Sequence, residues 1–435
     1  MKLFQQMLVA GASLSLLAPV AAKASDAVNL EEMNSYSRSK SKPTRFDSKT
    51  FINKVNDDIA GIKGRIDGLE VLQRELEAGS FSDTTILDGK AIFAVGATDG
   101  NDTLGLGQAV TTPWVYQMNL NTSFTGDDNL YVRLKTGNGW ADWMQKPMYF
   151  IEATSYTDTL AVDKMWYTFP IGEQFTATVG PKIENYYMLA AAPSVYKPGA
   201  LKAFKLGGHS SAFGASTSVG AGLTYKGDNG FAVSQTFNSK KAHTTTGLFT
   251  NDDQNKLNTQ VAYTTDNYHV SATYSRQRGW NSWSYYATKD LATGAGTTGD
   301  SATKSDSLAL RAWWRPEETG TATPSISVGY DIIDFGLTHD NGVAEGSGYM
   351  VGLNWADMFQ PSDKIGLAVG QPMKATKATA GNTLTEVDPF IWEFYYSFRP
   401  NDSIEVTPAI FGGTDVYENT DEDLFGAMVM TTFKF

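Results

Sequence analysis

The sequence predicts an all-β fold: a transmembrane antiparallel β-barrel of about 16 strands, preceded by a short trimeric coiled-coil helix. Three observations carry the prediction. From residue 84 onward, apolar and polar residues alternate as they do along a half-buried strand. The chain opens with a secretory leader, yet no later apolar run is long enough for a membrane helix. It closes on "DLFGAMVMTTFKF", an alternating strand with an aromatic residue in last place, where chain ends in water ordinarily fray.

The leader occupies residues 1–24. Lys2 supplies the positive start, residues 8–20 the short apolar core, and Ala22-Lys23-Ala24 the small-x-small cleavage site. Residues 25–50 form a polar lead-in made locally basic by Arg38, Lys40, Lys42, Arg45 and Lys49. It reads as a solvated linker, with a weak contact to anionic cell-wall polymer as the alternative.

Residues 51–79 form the coiled coil. Ile52, Ile59 and Ile66 fall at heptad position a, and Val55, Ile62, Leu69 and Leu76 at d. β-Branched residues at both positions favour three or more helices over two. The narrow apolar stripe and strongly polar flanks favour an oligomer seam over a helix lying on its own domain. Gly61, Gly64 and Gly68 stay off the seam, and Gly79 stops the helix.

Residues 80–435 are the barrel. In "NKLNTQVAYTTDNYHVSATYSRQ", Leu257, Val261 and Tyr263 alternate with Lys256, Asn258 and Gln260. After a turn, Tyr268, Val270 and Tyr274 alternate with His269, Ser271 and Thr273. "NLYVRLKTG", "SLALRAWWRP" and "PFIWEFYYSFRPNDSIEVTPAIF" repeat the pattern. About 16 to 18 such segments follow one another, each near the length a tilted barrel strand needs to cross a bilayer. A soluble sandwich also alternates, but its apolar face is a largely aliphatic core. Here the polar face is rich in Ser, Thr, Asn and Gln, and aromatics gather at strand ends. Tight turns such as "TTDN", "GDNG" and "RPND" alternate with long polar stretches such as 276–303 and 413–422. That is the layout of a barrel in an outer membrane. The last strand should close against residues 86–97, leaving no open edge.

If the apolar face meets lipid, the polar face lines a lumen. Arg133, Lys135, Lys256, Arg311, Asp331, Glu393 and Glu405 then point inward. The stretch "ENYYMLAAAPSVYKPGALKAFKLGGHSSAFGAS" contributes Lys197, Lys202 and Lys205, with no acidic residue between Glu184 and Asp228. It is too long for a simple turn. Folded into the lumen it would form a constriction with local positive potential, favouring small anions or anionic chelates; packed on the rim it would be an extracellular loop. The pore-lining and constriction candidates are therefore Arg133, Lys135, Lys197, Lys202, Lys205, Lys256, Arg311 and Glu393.

Composition excludes several classes. Of 435 residues only 19% are charged, while 12% are aromatic and 41 are Gly; ordinary soluble domains carry roughly a quarter charged residues. Cysteine is absent, which removes disulfides and thiolate metal sites. The balance of 35 basic to 47 acidic residues argues against nucleic acid as a partner. His209, His243, His269 and His339 show no metal-ligand spacing, and no nucleophile-elbow, phosphate-loop or zinc-protease motif is present. Neither catalytic residues nor a cofactor are expected. A different class, a surface adhesin using the barrel as anchor, also employs coiled coils; one chain carrying a full set of strands favours a pore per chain.

"IAGIKGRIDGLEVLQRELEAGSFSDTTILDGKAIFAVGA", "NYYMLAAAPSVYKPGALKAFKLGG", the leader and the closing "TTFKF" resemble the outer-membrane porins of cyanobacteria, the group related to carbohydrate-selective porins and often labelled iron-uptake porins. The resemblance implies a 16-stranded barrel, a homotrimer, and passive diffusion of small solutes with inorganic ions favoured over sugars. Sugar permeability is the alternative within that class. Members usually carry a surface-layer-homology domain between leader and coiled coil; residues 25–50 are too few for one, which places wall anchoring in doubt. The expected partners are the outer-membrane bilayer, two further copies of the chain, and the barrel assembly machinery. A terminal aromatic residue resembles the signal that machinery reads, which makes Phe433 and Phe435 the assembly-signal candidates.

Overall fold

The computed structural model describes residues 84–99, 109–138, 148–154, 156–208, 211–281, 287–288, 303–335, 342–384, 388–416 and 423–435. The leader, lead-in and coiled coil, with the seam residues Ile52 to Leu76, lie outside the described residues. So do His209 and His339.

Sixteen antiparallel strands form one closed barrel. They are β1 (Thr85–Thr98), β2 (Trp114–Thr122), β3 (Asn129–Gly137), β4 (Ala161–Ile171), β5 (Phe175–Ile183), β6 (Ser218–Lys226), β7 (Phe231–Ser239) and β8 (Asn255–Thr264). Then come β9 (Tyr268–Arg278), β10 (Lys304–Trp314), β11 (Ser325–Asp334), β12 (Val343–Ala356), β13 (Lys364–Ala378), β14 (Phe390–Asn401), β15 (Ile404–Thr414) and β16 (Leu424–Lys434). Each strand pairs with its sequence neighbours, and β16 closes on β1 in the register Lys90↔Lys434 through Thr98↔Gly426. The carboxyl end is held too. Gly89 N donates to Phe435 O at 2.8 Å, and Phe435 N donates back to Gly89 O at 3.2 Å. The Phe435 ring stacks on Tyr116 with centroids 5.8 Å apart.

The alternation read in the sequence sets which side chains face out. Leu257, Val261, Val270, Tyr274, Leu310, Val328 and Ile332 are exposed on the outer surface. Lys256, Asn258, Gln260, His269, Ser271, Thr273 and Arg311 on the same strands are buried on the inner one. A contiguous apolar band around a polar interior is stable in lipid and not in water. Aromatic residues mark its short-turn edge, as at Phe231↔Tyr263 and Tyr268↔Trp314.

The connections at one rim are mostly the shorter: 123–128, 172–174, 227–230, 265–267, 357–363 and 402–403, with 315–324 the exception. The strand ends at the other rim are joined by 99–113, 138–160, 184–217, 240–254, 279–303, 335–342, 379–389 and 415–423. The "RPND" turn is tighter than its sequence suggests, because β14 continues through Pro400 to Asn401. Two of the short turns are tied by one aspartate each. Asp128 accepts from Phe124 N, Thr125 N and Tyr167 Oη at 2.6–2.9 Å, and Asp363 accepts from Met358 N, Phe359 N and Tyr396 Oη at 2.8–3.1 Å.

Candidate functional site

A barrel of 16 strands leaves a water-filled lumen unless something enters it. Here the longest connection, residues 184–217, enters. Of the two placements the sequence left open, the segment lies inside the barrel. Its course is nearly free of regular structure, with two 3-10 turns at Asn185–Met188 and Lys202–Gly207. Its backbone groups therefore need partners from elsewhere, and the inner wall supplies them.

Three charged wall residues supply part of them. Glu393 on β14 accepts from Tyr196 Oη at 2.7 Å and from the amides of Gly199, Ala200 and Leu201 at 3.2, 2.9 and 2.7 Å. Arg311 on β10 donates to Leu206 O at 2.9 Å and Gly208 O at 2.7 Å, and is ion-paired to Asp331 at 2.8 Å. Lys256 on β8 donates to Ser211 O at 2.9 Å and Gly214 O at 2.8 Å. Leu206, Gly207 and Gly208 all have positive φ (60°, 73° and 113°), a conformation costly only at Leu206, and Arg311 pins the run from both sides. The wall opposite is Gly329, where a Cβ would stand 1.8 Å from Gly207 O. Only glycine permits so close an approach. Neutral groups complete the seam: Gln260 exchanges two hydrogen bonds with Ala191, and Ser327 Oγ accepts from Val195 N and Tyr196 N.

The segment covers the β6–β14 side of the lumen, and a cavity of about 460 Å³ remains beside β1–β4. Six cationic side chains line it, Lys90, Arg133, Lys135, Lys164, Lys202 and Lys205, against three carboxylates, Glu152, Asp163 and Glu184. Lys90 pairs with Glu152 at 2.8 Å, Arg133 Nε with Asp163 Oδ2 at 2.5 Å, and Lys164 with Glu184 at 3.3 Å. Lys135, Lys202 and Lys205 form no ion pair among the described residues. The inner and outer borders are stitched together: Ile151 N donates to Ala200 O and Lys202 N to Tyr149 O, both at 2.8 Å.

The electrostatics follow from enclosure. Burial, then repulsion by Lys202, pulls the Lys205 ammonium down to about 8. Burial alone would raise Glu152 and Glu184. Lys90 and Lys135 with the Lys90 hydrogen bond outweigh it at Glu152, and Lys164, the Tyr186 hydroxyl, Lys202 and Lys205 together outweigh it at Glu184, so both carboxylates sit below their usual range. Burial pushes the Tyr187 hydroxyl up to about 12.

The candidate residues thus divide. Arg133, Lys135, Lys202 and Lys205 meet at the cavity. Lys256, Arg311 and Glu393 face the lumen but lie beneath the inserted segment, which excludes them from the aqueous surface. Lys197 does not line the cavity; its carbonyl accepts from Tyr395 Oη at 2.5 Å. Lys90, Glu152, Asp163, Lys164 and Glu184 were not among the candidates. Alternation misplaces Asp163 and Lys164 because a register shift between Arg133 and Leu134 turns both inward. Among the described residues, no group of three His, Cys, Asp or Glu side chains is arranged to hold a metal ion.

A closed barrel with an apolar exterior, a polar lumen and a loop narrowing that lumen defines an outer-membrane porin. The chain belongs to the carbohydrate-selective porin, OprB family, whose model matches residues 51–432. It is 28% identical over 418 residues to an uncharacterized protein of Nostoc sp., covering 87% of this chain and 70% of that protein. It is 25% identical over 390 residues to one of Synechocystis sp., covering 80% and 68%. Among solved structures, OprB of Pseudomonas putida superposes with a TM-score of 0.53 at 13% identity, covering 81% of this chain and 94% of that one. OmpT of Vibrio cholerae gives 0.50 at 11%, covering 81% and 99%. These likenesses extend to the fold. The family is one of channels, and the chain is not an enzyme.

Proposed function

We propose that the channel passes small hydrophilic solutes by passive diffusion and favours inorganic and chelated anions, anionic iron complexes among them. One observation carries this reading: six cations face three carboxylates around the cavity left by the inserted segment. Fixed charge at a narrow, partly desolvated passage acts on a permeating ion far more strongly than the same charge in bulk water. The chain's overall acidity, −12, does not oppose this, since screening over about 8 Å at physiological salt leaves the local charge dominant.

A second reading, sugar passage, has its own support. Trp166 lies against Tyr131 with centroids 4.2 Å apart and against Tyr187 at 4.8 Å. Arg133 Nη1 reaches Tyr187 Oη at 3.2 Å, and Tyr131 Oη donates to Asn119 at 2.7 Å. Aromatic faces beside planar polar groups suit pyranose rings, and the family name points the same way. Influx of labelled chloride, sodium and glucose into liposomes holding the purified protein separates the two. Chloride entering faster than sodium and glucose supports the anion reading; glucose entering fastest replaces it with the sugar reading.

A homotrimer is the assembly we infer. The heptads at 52–76 favour three helices, and the OmpT structure is of a trimer form. Contact of residues 25–50 with cell-wall polymer and recognition of Phe433 and Phe435 by the assembly machinery belong to the same reading.

A further inference from the structure

The cavity holds three cations with no carboxylate of their own. Lys135 comes from the β3 wall, and Lys202 and Lys205 come from the inserted segment that faces it. Lys202 stands close enough to repel the other two. Like charges held together are costly, and the nearby carboxylates Glu152 and Glu184 are each already paired to another lysine. Here the geometry is not accidental drift of long side chains. Lys202 is anchored through its backbone to Tyr149, and Leu201, just before it, to Glu393. Lys205 lies 4.5 Å above the Tyr186 ring. The fold invests a buried carboxylate and a cross-lumen pairing in keeping these ammonium groups at one place.

From this we propose that Lys135, Lys202 and Lys205 form a saturable binding site for small polyoxoanions, solutes carrying at least two negative charges on phosphate or carboxylate oxygens. This rests on the reading of the cavity as the conducting passage, and goes beyond it. Net positive potential alone predicts preference for any anion in proportion to charge and size. A site predicts dwell and saturation. One ammonium on β3 and two on the facing segment can each donate to a different oxygen of a single anion. A monovalent halide neutralises one of them and leaves two in repulsion. A cavity of about 460 Å³ admits inorganic phosphate, a phosphorylated sugar or a tricarboxylate. Glu152 and Glu184 at its edge, each already paired to a wall lysine, keep the anion from being held too tightly to leave.

The test uses the full chain in two measurements. Inorganic phosphate at pH 7 is titrated into the bath of a planar bilayer carrying chloride current, and labelled phosphate binding to detergent-solubilised protein is read by equilibrium dialysis. Phosphate should reduce chloride current along a saturating curve and bind with the same midpoint. Lys202→Gln and Lys135→Gln should each weaken both by about fivefold, the worth of one partly exposed ion pair, while single-channel steps persist. Glucose should leave the current unaltered. Linear dependence on phosphate, or variants that bind as the parent does, overturns the site and leaves a channel governed by bulk potential. If the parent conducts nothing, the porin reading fails; dialysis still decides the site, and absence of binding there overturns it too.

Discussion

A single buried carboxylate organises the constriction. Glu393 takes four hydrogen bonds from residues 196–201, and those residues pair with 149–151 on the far border of the cavity. Removing it strands several enclosed donors, each costing about 1–3 kcal/mol. Glu393→Ala should therefore release the segment locally, giving noisy open-channel current and weaker ion discrimination, while the barrel's thermal unfolding stays near that of the parent. Glu393→Gln keeps the shape and one acceptor oxygen and should recover much of the quiet current. Equal noise in both would contradict the role of the carboxylate. Lys205 makes a second prediction at this scale. Burial and Lys202 hold it near 8, with Glu184, Glu152 and Arg133 also facing it. At pH 7 it is mostly charged and at pH 9 mostly neutral. Glu152 and Glu184, held below their usual range, stay charged throughout. The positive side alone shrinks, so anion preference should fall as pH rises from 7 to 9, and Lys205→Gln should flatten that change. Strand parity was enough to read in the sequence that Lys256, Arg311 and Glu393 face inward. Their coverage was not legible: the contact of Leu201 with Glu393 spans 192 positions, and nothing local encodes it. The bulge at Asp163 defeated parity itself.

At the scale of elements, β16 is the strand that closes the ring. Its outward row, Phe425, Ala427, Val429, Thr431 and Phe433, continues the apolar exterior, and both its edges are paired, with β15 and with β1. The partner predicted at 86–97 agrees with the observed register from Lys90 to Thr98. Deleting Phe435 should lower the yield of heat-modifiable, folded barrel in the membrane, while the conductance of barrels that do assemble stays unchanged. Normal yield would remove Phe435 from the assembly signal. The inserted segment is the other decisive element. Its lack of acidic residues after Glu184 was readable and fits a cation-bearing border; its direction was not, because lumen and rim placements differ only in which distant wall groups satisfy its backbone. Replacing 189–213 with a short turn should raise single-channel conductance several-fold and erase charge preference.

For the whole molecule, sixteen strands with no open edge satisfy every requirement of a structure in lipid: backbone groups paired around the ring, apolar residues out and polar residues in. Fold class was legible because period-two patterning, turn spacing and terminal aromatics all agreed, and each reports a local rule repeated many times. Charge at the constriction depends on one long-range packing event. The measurement that bears most directly on the account is the reversal potential of the reconstituted protein across a planar bilayer with a tenfold KCl gradient. Displacement toward the chloride equilibrium potential is expected, from a channel narrowed by residues 184–217 and bordered by Lys135, Lys202 and Lys205. Displacement toward the potassium potential would contradict it.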